Sequence, residues 1–355
     1  MFTVVHIIPT GVGANIGGFA GDGGPVTRLL AGVVDRLITH PNAVNGAQFL
    51  ALPSNATYVE GAALDAWLAG RLALRPKTGQ KIGILVDRAL LTMPRGTPEA
   101  LQHAMDGVRA VYGVPIIGWQ LTPRPIGART NLSAAGLSSG EVNDPASLLE
   151  GARELQQAGA SAIALLADLG PLDTNLAEAY DGGGGVDPIG GLEAILSHLI
   201  IQELGIPAAH APLWPYTAET PYAVDPRAAA EHLGHTFLPC ILQGLSQHPD
   251  LIPAPATTVH DWTSDTVDAL VIPSGCLGGP GTLAALARKI PTIIVRENTT
   301  QIGLTPSDLG LENGTYIFEV ENYLEAAGLL SAFRLGLDPH ALRRPLTGVA
   351  MLSSP

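Results

Sequence analysis

Apolar, strand-like runs in this chain repeatedly end on residues that could hold or transform a ligand. His40 and Asn42 follow the run DRLIT, with Asn45 just beyond; Asp87 closes KIGILV, His210 closes IPAA, and Cys276 follows VIPSG. An imidazole placed there could move a proton, a carboxylate could bind sugar or ribose hydroxyls, and a thiol near a helix start could be held as a nucleophilic thiolate. Arg124 and Arg129 share the proline-stiffened loop TPRPIGARTN, where two guanidinium forks suit bidentate capture of a carboxylate or phosphate. Each residue also has a plainer reading: turn chemistry for Asn42 and Asn45, an Asp87–Arg88 pair, a small buried filler for Cys276, solvated charge for the arginines.

Two glycine loops frame the chain, and both follow IP[ST]G at a strand end. In PTGVGANIGGFAGDGGP the glycines Gly11, Gly13 and Gly17 fall as GxGxxxG, one residue longer than the dinucleotide fingerprint, and the next helix begins only near Pro25. A fingerprint loop enters its helix at once, because the pyrophosphate sits on that helix N-terminus. The spacing therefore favours a ligand-covering loop, or a structural loop whose glycines supply positive φ, over NAD binding. In IPSGCLGGPGT, Gly278, Gly279 and Thr282 could aim backbone and hydroxyl donors at an anion, although Pro280 removes one donor.

Histidines gather in the second half at His198, His210, His232 and His235, near Asp187, Glu193 and Glu231. Glu193 and His198 are five apart, about 140° around a helix, too far for a tight ligand pair. His232 and His235 share a face, yet no spacing here matches a zinc motif, so no metal is expected. Core or capping roles compete with acid–base roles; among the latter the reading favours His210, His235 and Glu193, with His40 and Cys276 as the remaining candidate catalytic groups.

The elements that must position these residues alternate. FTVVHII, DRLITH, KIGILVD, VPIIGW, SAIALLAD, IPAAHA, DALVIP, PTIIV and TYIFEV read as strands, separated by helical stretches such as TPEALQHAMDGVRAVY, DPASLLEGARELQQAG and IGGLEAILSHLIIQELG. This alternation predicts an α/β fold with two Rossmann-like lobes, mainly parallel sheets and a ligand cleft between them. The glycine run DGGGGVDPIGG places the expected boundary near residue 180, with lobes 1–180 and 181–355.

Composition bounds the partners. The 355 residues are 46% hydrophobic and carry 19 basic against 32 acidic side chains, a net charge of −13. No basic stripe is present, which argues against nucleic acid and against an anionic membrane surface. No run approaches the ~18 apolar residues of a membrane helix. Two cysteines, far apart, give no disulfide framework, so a reducing, cytoplasmic setting is expected.

Two resemblances follow. GGPGTLAALARKIPTIIV is similar to the nucleotide-sugar loop of two-lobed glycosyltransferases and sugar-nucleotide epimerases, which implies a Rossmann-like lobe; Ala284 and Ala285 stand where those enzymes place a ribose-binding glutamate. Over almost the whole chain, at PTGVGANIGGFAGD, LITHPNAVNGA, VDPIGGLEAILSHLI and PSGCLGGPGT, the sequence resembles an uncharacterised family of cyanobacteria and plants, a resemblance that brings no activity. The combined expectation is an enzyme acting on a small anionic metabolite, phosphorylated or nucleotide-linked, with a non-catalytic metabolite-binding protein as the alternative. The sequence identifies no cofactor and no oligomeric state.

Overall fold

The structure, a computed structural model, describes residues 1–44, 52–92, 98–211, 224–228, 238–311, 314–346 and 348–349. His235 and Asn45 lie outside the described residues. Six strands form the first sheet: β1 (Thr3–His6), β2 (Arg36–Thr39), β3 (Ala56–Tyr58), β12 (Ala269–Cys276), β13 (Thr292–Leu304) and β14 (Ile317–Val320), in the order β14-β13-β12-β1-β2-β3 with every pair parallel. Strands fan from β1 in one direction and from β12 in the other, so the chain reverses between them, as in doubly wound sheets. The second sheet is parallel too: β5 (Ile82–Val86), β6 (Ile116–Leu121), β9 (Ala162–Leu166) and β10 (Ala208–His210), in the order β10-β9-β5-β6. Two antiparallel ribbons complete the strands, β4 (Leu72–Arg75) with β11 (Asp250–Pro253) and β7 (Ala128–Leu132) with β8 (Ser138–Val142).

The central strands are buried on both faces, which is why they read as continuous apolar runs. Helices cover them in layers. On the outer face of the first sheet, α1 (Gly24–Ala31) and α10 (Tyr323–Arg334) bury Leu30 and Leu330 against Val4, Leu37, Val271 and Ile293. On the outer face of the second, α4 (Pro98–Tyr112) and α8 (Leu238–Ser246) bury Met105 and Ile241 against Ile84 and Val86.

Between the sheets, α3 (Gly61–Leu68) and α9 (Pro280–Ala287) meet α5 (Pro145–Gln157) and α7 (Gly190–Leu204) in one continuous core. Trp67 lies at its centre, fully buried; a side chain of that size contributes roughly 3 kcal/mol by leaving water. Its indole N–H donates to the Trp262 carbonyl at 2.8 Å, so burial leaves no donor stranded. Two short helices, α2 (Pro41–Val44) and α6 (Thr174–Asp181), brace the loops.

Local signals set several of these boundaries. Asp144 accepts the Ser147 N–H at 2.9 Å and Pro145 opens α5, an N-cap followed by proline at the first helical position. The stretch VEGAALDAWLAGRLAL reads as one helix but divides. Gly70, with φ of +72°, turns the chain out of α3, and Leu72–Arg75 leaves to pair with β11. Both sheets draw strands from both sides of residue 180, so a division at 180/181 does not coincide with the division between sheets.

Candidate functional site

Each glycine loop is held by its own neighbours. Gly11, Gly13 and Gly17 all have positive φ, and a Cβ on them would sit 2.7 Å from Ser138 Cβ, 2.9 Å from the Gly185 carbonyl and 2.5 Å from Ile8 Cδ1 respectively. The Gly11 carbonyl accepts the Ser138 N–H, the Val12 carbonyl accepts the Gln301 N–H, and the Tyr180 hydroxyl donates to the Gly18 carbonyl. The Asn42 amide donates to the Ile8, Pro9 and Gly17 carbonyls, so this side chain clamps the loop. His40, buried, accepts the Ile8 N–H on Nε2 at 2.7 Å. Burial lowers its pKa to about 4, leaving a neutral prop where an acid–base group was expected.

The second loop is likewise occupied from within. Gly279 caps α9 with backbone alone, Gly278 packs near Leu304, and Thr282 is buried. The Gly281 N–H, an obvious donor for a bound anion, donates instead to Asp65 Oδ1 of α3 at 2.9 Å. Asp65 thus stands where the sequence places a ligand's carboxylate or phosphate. Cys276 is buried with its Sγ 3.5 Å from Thr300 Oγ1, and burial pushes its thiol up to about 11. These surroundings fit the plainer reading of Cys276 as a small buried filler and disfavour a nucleophilic thiolate.

The arginine loop separates its two members. Arg124 pairs with Asp144 at 2.8 Å and Glu150 at 3.3 Å, both on or beside α5, so its guanidinium is spent locally. Asp144 lies 20 residues away, too far for sequence reading to pair them. Arg129 is exposed on β7 beside Gly170, and no ion pair involves it among the described residues. Asp87, fully buried at the end of β5, accepts the Ala89, Ile126 and Asp168 N–H groups; it gathers three loops and has no side to offer a ligand.

A different set of groups converges where the two middle helix layers meet. Tyr58 ends β3, and Glu60 leads into α3 with its carboxyl turned inward, 3% exposed. Its Oε1 finds no hydrogen-bond partner among the described residues. Burial raises the Glu60 pKa well above the usual carboxyl range, and the negative charge of Glu193 raises it further. Glu193 sits in the first turn of α7. Glu193 Oε1 lies 2.9 Å from His210 Nδ1; the His210 side chain is 1% exposed and that of Glu193 19%. His210 Nε2 accepts the Ala167 N–H at 3.3 Å, which assigns the ring proton to Nδ1, facing Glu193.

The surroundings fix this cluster. His248, fully buried, accepts the Glu60 N–H on Nε2 at 3.0 Å and donates from Nδ1 to the Pro249 carbonyl at 2.7 Å. His198, further along α7, brings Nε2 to 3.2 Å from where a Cβ on Gly61 would lie, so that glycine lets α3 approach α7. Gly191 is tighter still: a Cβ there would fall 2.2 Å from the Ser138 carbonyl oxygen, and its N–H donates to Ser138 Oγ at 3.0 Å. The β7–β8 ribbon thereby anchors the turn of α7 that carries Glu193.

Of the expected acid–base groups, His210 and Glu193 come together, and His40 and Cys276 do not join them. Glu60 escaped sequence reading because an acid ahead of a helix is ordinary capping composition; only its inward turn, fixed by His248, makes it unusual. Two carboxyls in contrasting environments, one buried with its pKa raised, the other part-exposed and paired with an imidazole, can give and take protons at the same place. No grouping of three His, Cys, Asp or Glu side chains suited to a metal ion occurs among the described residues.

No helix among the described residues is long and apolar enough to cross a membrane. Residues 3–343 match the family described as "Protein of unknown function (DUF3326)". The chain is also 40% identical over 345 residues to an uncharacterised lipoprotein of Synechococcus sp., covering 96% of this chain and 93% of that protein. With the family match spanning nearly its whole length, the chain belongs to the DUF3326 family.

Proposed function

We propose that this protein is an enzyme that moves protons on a small metabolite at the junction of α3, α7 and β10. Glu193 is the general base, held in one orientation by His210 Nδ1–H, and Glu60 is the general acid. One observation carries the reading: a buried carboxyl with an unpartnered oxygen is kept beside a second, ionised carboxyl. Such a group costs stability, and acid–base chemistry gives it a use. Proton removal by Glu193 with donation from Glu60 suits isomerisation, elimination or hydration of a polar substrate. A metabolite-binding protein would use the same groups without the proton exchange.

Of the anion-holding groups expected from the sequence, Arg129 remains exposed and without an ion pair among the described residues. Arg124 and the start of α9 are spent on the chain's own carboxylates. The two free cysteines, both buried, support a reducing compartment such as the cytoplasm.

The test is incubation with metabolite mixtures in D2O, followed by NMR for consumption or deuterium uptake. Wild type is expected to exchange or consume a compound, with Glu60→Gln and Glu193→Gln each slowing this by about 10²-fold or more. A compound that binds and persists without exchange in wild type assigns the pocket to a binding protein and overturns the catalytic reading.

A further inference from the structure

The carboxyl pair has a charge pattern that selects among ligands. Glu193 has as its partner an imidazole whose single ring proton lies on Nδ1, and no Lys or Arg nitrogen pairs with Glu60 or Glu193 among the described residues. His198 and His248, the other titratable groups packed against Glu60 and Gly61, both have their pKa lowered by burial and add no positive charge at neutral pH. The junction is therefore negative, and it contains an acceptor, Glu60 Oε1, that lacks a donor among the described residues while almost fully buried. A buried acceptor of this kind calls for an N–H or O–H from outside the chain.

Resting on the acid–base reading above, we infer that the group bound between Glu60 and Glu193 is a protonated amine. An ammonium supplies three donors and the missing positive charge, and it satisfies both carboxyls at once. A carboxylate or phosphate would face Glu193 with nothing to neutralise it. A neutral hydroxyl would satisfy Glu60 Oε1 and leave the charge uncompensated. Glu193, a fifth exposed, marks the side from which the amine enters. On binding, neutral Glu60 ionises against the incoming charge: the carboxyl O–H bond breaks, its proton passes to solvent, the two carboxylates then share one ammonium, and for an amine ligand that ammonium replaces Glu60 as the proton donor of the reaction proposed above. The negative composition of the chain, −13 overall, favours the approach of cations over that of anions.

Calorimetric titration tests this on the full chain at pH 7, in PIPES and in MOPS, whose ionisation heats differ. The probes are methylamine, ethanolamine and putrescine, with acetate, inorganic phosphate and ethylene glycol as the contrasting set. At least one amine is expected to bind with release of about one proton per amine. Glu60→Gln, isosteric and free of the burial cost of a charge, is expected to abolish the release and weaken binding about tenfold or more. Failure of all three amines to bind, binding without proton release, or binding unchanged in Glu60→Gln overturns the inference, as does competition by ethylene glycol or acetate. Amine binding with proton release, in a protein that exchanges nothing in D2O, upholds the cation site and refutes only the catalytic reading. Turnover of a compound without an amino group, sensitive to Glu60→Gln, does the reverse.

Discussion

Acid should destabilise this fold through the histidine that supports Glu60. His248 stays neutral in the native state because both ring nitrogens are engaged, Nε2 accepting from the Glu60 backbone and Nδ1 donating to Pro249, in a fully buried position edge-on to Tyr58. Burial lowers its pKa from 6.5 to about 4. The unfolded chain takes up a proton as the pH falls below 6.5 and the folded chain does not. Stability is thus greatest above 6.5 and is lost as the pH falls toward about 4. At about 1.36 kcal/mol per pH unit the whole effect is about 3 kcal/mol, and about 2 kcal/mol of it is gone by pH 5.

His248→Gln removes this titration. It also disturbs the acceptor for Glu60 N–H, at a cost of about 1–3 kcal/mol at pH 7.5. Urea unfolding followed by tryptophan fluorescence at both pH values is the assay. The variant is expected to start below wild type at pH 7.5, with the gap narrowing by about 2 kcal/mol at pH 5. His6 and His40, with pKa values lowered to about 3 and about 4, add an acid sensitivity common to both proteins, which cancels in the difference. A constant gap across the two pH values would refute the reasoning, since it would mean that His248 titrates alike folded and unfolded.

Three further outcomes follow from single contacts. Asp65→Asn weakens the cap that Asp65 gives the Gly281 N–H and is expected to cost about 1 kcal/mol in urea unfolding; an unchanged midpoint would mean that α9 needs no such anion. Gly191→Ala forces a Cβ to 2.2 Å from the Ser138 carbonyl oxygen, so the β7–β8 ribbon must move; a loss of roughly 1–3 kcal/mol is expected by thermal or urea unfolding, against no loss if that ribbon yields freely. Cys276, with its thiol at about 11, should resist iodoacetamide in the native protein at pH 8 and react after unfolding; rapid native alkylation, mapped by mass spectrometry, would contradict its burial.

The parallel strands were legible because burial on both faces forces uninterrupted apolar runs, as in KIGILVD and SAIALLAD. What escaped lacks that pattern. β7 and β8 are ARTNL and SSGEV, polar ribbons exposed along much of their length, and β3 is only three residues long. β4 lay hidden in a helix-like stretch, because LALR fits either period and only the turn at Gly70 and its pairing with β11 decide it. The site divides in the same way. Glu193 and His210 are visible as chemistry, but their contact depends on how α7 returns to β10. Arg124 and the α9 N-terminus look ready for an anion until Asp144 and Asp65 arrive from elsewhere in the chain. Residue types could be read in order; the partners that neutralise them could not.

The central claim is that Glu60 is held as a neutral carboxyl beside an ionised Glu193. Carboxyl NMR of protein labelled at glutamate side chains, titrated across the acid and neutral range with Glu60→Gln to assign its resonance, measures this directly. The Glu60 signal is expected to remain in its protonated form at pH 7. A Glu60 resonance titrating near the ordinary value of 4.5 would contradict it, and with it the acid on which the proposed chemistry depends.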